Sequence, residues 1–304
     1  MSRYVISLLL LLIISITPVC AESLNLKVYR DDEVTIQYEA PLEKVIKRID
    51  EMYPSIKSDL EEKLNLKVTF IPTILLIHSS SKFKKMVGGN DLITAYAVPG
   101  RNLIVVNYSK METTPFNLEL TLKHELSHLL LRHHIQGEFP KWLNEGVSQW
   151  VSDGIADIIN FNGNRLLKQA AISNNFLALK DLNIYFPSSP NLFTLSYEES
   201  RSIVEYIDNK FGSDRLLLIL EKLHEGNSIE EAVLTSLSVD ISQLENDWHM
   251  HLRRKYTWFS YFTDNIYWII FFAGAIITVI GFFQLRKRIK NYPDEDDDYT
   301  DEID

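Results

Sequence analysis

The sequence predicts an α+β fold, with a mixed α/β N-terminal lobe, a mostly helical C-terminal lobe and one transmembrane helix. Three observations predict it. Alternating and β-branched runs lie before Tyr108, apolar residues recur at helical spacing from Leu118 onward, and Ile266 to Leu285 contains no charged residue.

Met1 to Ala21 opens the chain with Arg3, an apolar stretch from Val5 to Val19, and Val19 and Ala21 placed for cleavage after Ala21. That is the pattern of a secretory signal peptide, residues 1–21, and the apolar part is short for a membrane span. The single cysteine, Cys20, leaves with it, so disulfides and thiolate metal ligands are excluded from the mature chain. Residues 22–255 then form the extracytoplasmic domain. Leu24 to Tyr29 and Val34 to Tyr38 alternate like strands, and Leu42 to Leu64 has helical periodicity interrupted near Pro54. Val68 to His78 and Leu103 to Tyr108 are β-branched runs expected to join the sheet.

A helix follows, opened by Thr114 as cap and Pro115 in the first turn, with Leu118, Leu122, Leu126, Leu129 and Leu130 on its apolar positions. A second, shorter helix is opened by Pro140 and closed near Gly154. Beyond it the chain reads as helical, with Ser228-x-x-Glu231 and Asp240-x-x-Gln243 as capping boxes and Leu216, Leu220, Leu223, Leu244 and Trp248 as core. His224, His249 and His251 read as packing or surface residues.

Residues 256–265 are an aromatic juxtamembrane segment. Residues 266–285 suffice, at about 1.5 Å per residue, to cross about 30 Å of hydrocarbon. Arg286, Lys287, Arg288 and Lys290 follow at once, which places residues 286–304 in the cytoplasm; Arg253-Arg254-Lys255 weakens that bias, so orientation rests mainly on the signal peptide. Of the net charge of -10, eight negatives lie between Asp294 and Asp304. The ectodomain is therefore nearly neutral, no nucleic-acid partner is implied, and the tail is either a solvated segment or a docking site for a cytosolic partner.

The chemistry concentrates in two segments, His124-Glu125-Leu126-Ser127-His128 and Trp142-Leu143-Asn144-Glu145-Gly146. Positions i and i+4 share a helix face, so His124 and His128 can present two imidazoles to one zinc ion, with Glu125 placed to take a proton from water. A catalytic zinc takes three protein ligands and keeps one position open. Two residues compete for the third place. Glu145 would complete a two-histidine, one-glutamate set. His134 has the spacing of the three-histidine class, but that class needs a glycine where this chain has Leu131, and the continuing helix turns His134 away from the face of His128. Glu145 is the favoured ligand. Ser148, Gln149 and Asp153 are unranked candidates for hydrogen-bonding the ligand imidazoles.

These segments, followed by Leu195-Ser196-Tyr197-Glu198-Glu199-Ser200, Val204-Glu205-Tyr206-Ile207 and Phe211-Gly212, resemble the gluzincin clan, specifically the peptidase MA-like domain related to M1 aminopeptidases. The likeness covers about residues 25 to 252 in the order of elements, and the two metal segments are its specific part. It implies a zincin-like fold with the sheet beside the metal helix. It also implies one zinc ion per chain held by His124, His128 and Glu145, with Glu125 as general base. In related domains a tyrosine downstream donates to the oxyanion, and Tyr197 matches that position; as a bare sequence feature it reads equally as a core tyrosine. The sheet edge in such domains binds substrate backbone, and Thr94-Ala95-Tyr96-Ala97 is the segment that fits. Two features depart from M1 aminopeptidases: the spacing to Glu145 is slightly shorter, and their Gly-x-Met-x-Asn signature is absent.

The expectation is a membrane-anchored, extracytoplasmic zinc metallopeptidase acting on peptide or protein substrates. The alternative is a catalytically silent zincin-like binding module at the membrane surface. Retention of Glu125 favours the enzyme, because holding a metal does not require it. A third reading makes the acidic tail the working part, with the ectodomain secondary.

Overall fold

Alternation in the first part of the chain builds one five-stranded sheet: β1 (Leu26–Arg30), β2 (Thr35–Glu39), β3 (Thr73–Ile77), β4 (Ala95–Val98) and β5 (Leu103–Asn107). The computed structural model describes residues 25–88, 92–113, 116–152, 164–257 and 265–290. Strand order is β1-β2-β3-β5-β4, with β2, β3 and β5 parallel and the edge strands β1 and β4 antiparallel to their neighbours. A parallel centre needs cover on both faces. Ile74 and Leu76 accordingly join Ile36, Ile104 and Val106 in the main core, while Leu75, Ile77 and Val105 meet Phe83 of α2 (Ser80–Met86) on the other face.

Helix α1 (Glu43–Leu64) is the crossover from β2 to β3 and buries Ile46, Ile49, Tyr53, Ile56, Leu60 and Leu64 along one stripe. The expected interruption at Pro54 does not occur. Buried residues on both sides of the proline hold the helix straight through, offsetting a penalty of about 3 kcal/mol. The strand expected over Val68 to His78 is also shorter. Val68 N–H donates to Glu61 Oε1 at 2.9 Å and Pro72 has no N–H to give, so the ladder starts only at Thr73. At the other run, β5 ends at Asn107 and Tyr108 opens the short α3 (Tyr108–Met111).

Helix α4 (Leu118–His134) carries the histidine motif and is buried nearly all round from Leu118 to Leu131. Its cap is Asn117, whose Oδ1 accepts from Glu119 and Leu120 N–H; Thr114 and Pro115 lie outside the described residues. One side of α4 lies against β4 and β5, the other against α1 and α5 (Lys141–Val151). Pro140 does precede α5, which ends before Ser152, and Gly154 lies outside the described residues.

The rest is helical: α6 (Arg165–Ser173), α7 (Pro190–Phe211), α8 (Ser213–His224), α9 (Ile229–Leu237) and α10 (Ile241–Lys255). Ser228 and Glu231 form the expected reciprocal box, and Asp240 Oδ1 accepts from Gln243 N–H. Leu216, Leu220, Leu223, Leu244 and Trp248 are buried as expected. Helix α11 (Ile266–Lys290) includes one stretch, Ile266–Arg288, long and apolar enough to cross a membrane. The signal segment, most of the aromatic segment and the acidic tail lie outside the described residues.

Candidate metal centre

Helical spacing puts His124 and His128 on the α4 face that meets α5, and Glu145 projects toward them from α5. The approach of α5 to α7 is set by Gly146. A Cβ there would stand 2.2 Å from Ser200 O and 2.6 Å from Val204 Cγ2, so only glycine lets α7 lie this close behind the glutamate.

One ligand atom from each of His124, His128 and Glu145 falls within 4.8 Å of the others. The two Nε2 atoms are 3.1 Å apart, and Glu145 Oε2 lies 3.5 Å from that of His128 and 3.9 Å from that of His124. A tetrahedral zinc with bonds of about 2.0–2.2 Å separates its ligand atoms by about 3.3–3.5 Å, so the spacing fits the ion. The donor set agrees. Glu145 Oε2 is buried with no hydrogen-bond partner, an arrangement that a cation would relieve. Burial pushes this carboxyl up, while positive charge beside it, on His128 and His124 when protonated and on Lys141, pulls it down to about 2, so the pocket favours the carboxylate.

The other imidazole nitrogens are also held. His128 Nδ1 lies 3.0 Å from Asn144 Oδ1 and 3.1 Å from Ser148 Oγ, and His124 Nδ1 lies 3.3 Å from Ser152 Oγ. Ser152 gives its own proton to Ser148 O at 2.7 Å, leaving its lone pair to accept. Both protons are thereby drawn to Nδ1, and each Nε2 lone pair faces the common point. Of the residues proposed from sequence for this task, Ser148 performs it. Gln149 instead donates to Tyr197 O at 3.0 Å, and Asp153 lies outside the described residues. Asn144 and Ser152 were missed, although Asn144 precedes Glu145 within the motif itself.

A cleft of about 270 Å³ opens over the ligands, with Glu125, His128, Asn144 and Glu145 on its floor and Ala95, Tyr96 and Ala97 of edge strand β4 on one wall. Tyr197 of α7 lines the opposite side, its hydroxyl 3.4 Å from Glu145 Oε1 and its ring packed on Phe186 and Phe193. His134 turns elsewhere. Its Nε2 pairs with Glu221 at 3.3 Å and its ring stacks on His224. His249 stacks on Phe176 and His251 packs at a tilt against Tyr206, so these too are packing histidines.

The sequence matches the peptidase MA superfamily over residues 83–254, which include both metal segments and α7 to α10. The chain belongs to the peptidase MA superfamily. No curated protein matches the sequence. Among solved structures, Legionella pneumophila aminopeptidase A, in complex with aspartic acid, is similar with a TM-score of 0.44 and 12% identity, over 74% of this chain and 27% of that one. The M1 zinc metallopeptidase from Deinococcus radiodurans is similar with a TM-score of 0.42 and 13% identity, over 75% of this chain and 50% of that one. The peptidase MA chain described here thus spans between about a quarter and half of the length of these neighbours.

Proposed function

We propose that this chain is a zinc-dependent metallopeptidase that hydrolyses peptide bonds outside the cytoplasm while anchored in a membrane by α11. The observation that carries the reading is the meeting of His124, His128 and Glu145 beside Glu125, on the floor of a cleft walled by an edge strand. In this reading the imidazole Nε2 atoms and Glu145 Oε2 hold one zinc ion. Zinc supplies Lewis acidity, bringing water toward a neutral pKa and polarising a carbonyl. Glu125 takes the proton of the attacking water and returns it to the leaving amine. A peptide laid along β4 as an added strand presents its scissile bond to the floor. Tyr197 O–H donates to the carbonyl oxygen as charge builds there.

The test uses the purified full-length chain in detergent, assayed for zinc and for cleavage of a denatured protein mixture beside its Glu125→Gln variant. The expected result is one zinc per chain in both, with cleavage lowered by about 100- to 10,000-fold in the variant. Zinc in both with cleavage in neither favours the silent binding module, and no zinc in either overturns the proposal.

A further inference from the structure

Lys141 lines the cleft, yet the chemistry above leaves its charge unused. Among the described lining residues it is the only lysine or arginine. It occupies the first position of α5, where a cation opposes the helix dipole. Its backbone N–H is fixed to Asn183 O at 2.7 Å. The side chain, 34% exposed, reaches into the cleft: Nζ lies 3.5 Å from Glu145 Oε1 and 5.0 Å from the ring centroid of Phe186. Tyr197 O–H points at the same Glu145 oxygen, at 3.4 Å. An ammonium and a phenol are thus gathered on Oε1, while Oε2 faces the imidazoles. The neighbouring walls, from Leu92, Ile93, Ala95, Ala97 and Phe193, carry no charge.

Charge balance gives this corner a use. Glu145 neutralises Lys141 only while its carboxylate is not shared, and a divalent ion on Oε2 draws on the same negative charge. With zinc in place, the ion and Lys141 together outweigh Glu145 and Glu125 by one positive charge. A narrow cleft with apolar walls focuses that excess on an incoming anion. Resting on the metallopeptidase reading, we infer that Lys141 is a specificity-determining residue which, with Tyr197 beside it, binds a carboxylate of the peptide. That carboxylate belongs to an acidic side chain near the scissile bond or to the peptide's own C-terminus; both offer the same charge-assisted bond to Nζ.

The test reads binding without turnover, on zinc-loaded full-length protein in detergent carrying Glu125→Gln. Fluorescein-labelled pentapeptides of alanine and phenylalanine are titrated, with Glu, Lys or Ala at each position in turn and the C-terminus free or amidated. The expected preference for a carboxylate over its neutral counterpart is about tenfold. It should vanish in Lys141→Gln and persist in Lys141→Arg, with zinc content and Tm of both variants unchanged. A preference that follows the position of Glu assigns the side chain, and one that follows the free C-terminus assigns the terminal group. The inference is overturned by no peptide binding, by equal binding of charged and neutral peptides, by a preference surviving Lys141→Gln, or by loss of zinc in that variant. Failure of the peptidase reading is separate: protein with Glu125 intact would leave the preferred peptides uncut while the binding preference stands.

Discussion

At the residue scale, the metal set rests on one geometric distinction, the direction in which each histidine of α4 points. His124 and His128 face Glu145, whereas His134 is turned to Glu221 and His224 on α8. The ligand prediction follows. Glu145→Gln should release zinc, because a buried amide lacks the charge that the ion requires, while His134→Ala should keep one equivalent. Metal analysis of the two purified variants decides it, and the opposite pattern would move the chain to the three-histidine class. The grouping of His124, Glu125 and His128 was legible in the sequence because their relation is local, whereas Glu145, on another helix, entered as the favoured of two candidates for the third place. Histidines four apart on a helix must share a face, and the intervening glutamate follows them. Lys141, Asn144 and Ser152 were not legible, since their roles depend on how α5 docks on α4, and spacing along the chain does not encode that contact.

At the element scale, the site is held from behind by α7. Ser200 O and Val204 occupy the space that any side chain at Gly146 would need. Gly146→Ala should therefore lower stability by about 1–3 kcal/mol, the usual cost of overpacking, and weaken zinc affinity because Glu145 moves with its helix. Thermal melts of metal-free and zinc-loaded protein read the two effects separately, and an unchanged Tm would refute the contact. A second device on α7 is Glu199, fully buried and accepting Leu177 N–H at 3.2 and 3.3 Å. Burial drives its carboxyl up, Leu177 N–H opposes, Glu245 and Glu198 add to the rise, and the outcome is about 8. A raised carboxyl pKa means that the fold prefers the proton. Its stabilising contribution is complete below the unfolded value, about 4.3, and is lost as pH climbs to about 8. Glu199→Gln keeps the acceptor without the charge. Its Tm should change less between pH 5 and pH 8.5 than that of the parent, and equal pH dependence in the two would discount the buried acid. None of this α7 packing was visible beforehand. The chain beyond Glu145 reads as helical, but a helix that buries glutamates reads as amphipathic with those residues outward. The strands were clearer, because alternation and β-branching are intrinsic to a two-faced sheet. They differed most at Pro72, which delays the ladder to Thr73, and at Tyr108, where a helix start ends it at Asn107.

At the scale of the whole molecule, the proposed anchoring by α11 raises the question of which side of a membrane would hold the cleft. Helix α11 exposes apolar side chains around its entire circumference, including Ile270, Phe271, Ile277 and Phe283. Under the proposed anchoring, lipid would cover these rings and branched chains. The proposed orientation rests mainly on the signal peptide, and the flanks of the span bear on it as well. Arg286, Lys287, Arg288 and Lys290 stand at the C-terminal end, and a cluster of that kind resists translocation. Arg253, Arg254 and Lys255 precede the span but sit in the last turn of α10, where they complement that helix's own C-terminal dipole. Their charge thus has a local use and need not mark a cytoplasmic flank. The proposed topology puts Ser188, exposed in the loop before α7, outside the cell, and Thr300 inside. In a Cys20→Ser background, a membrane-impermeant maleimide added to intact cells should label the Ser188→Cys variant and leave Thr300→Cys unlabelled until the membrane is permeabilised. The reverse pattern would place the metal centre in the cytoplasm, where its peptide substrates would have to be sought instead.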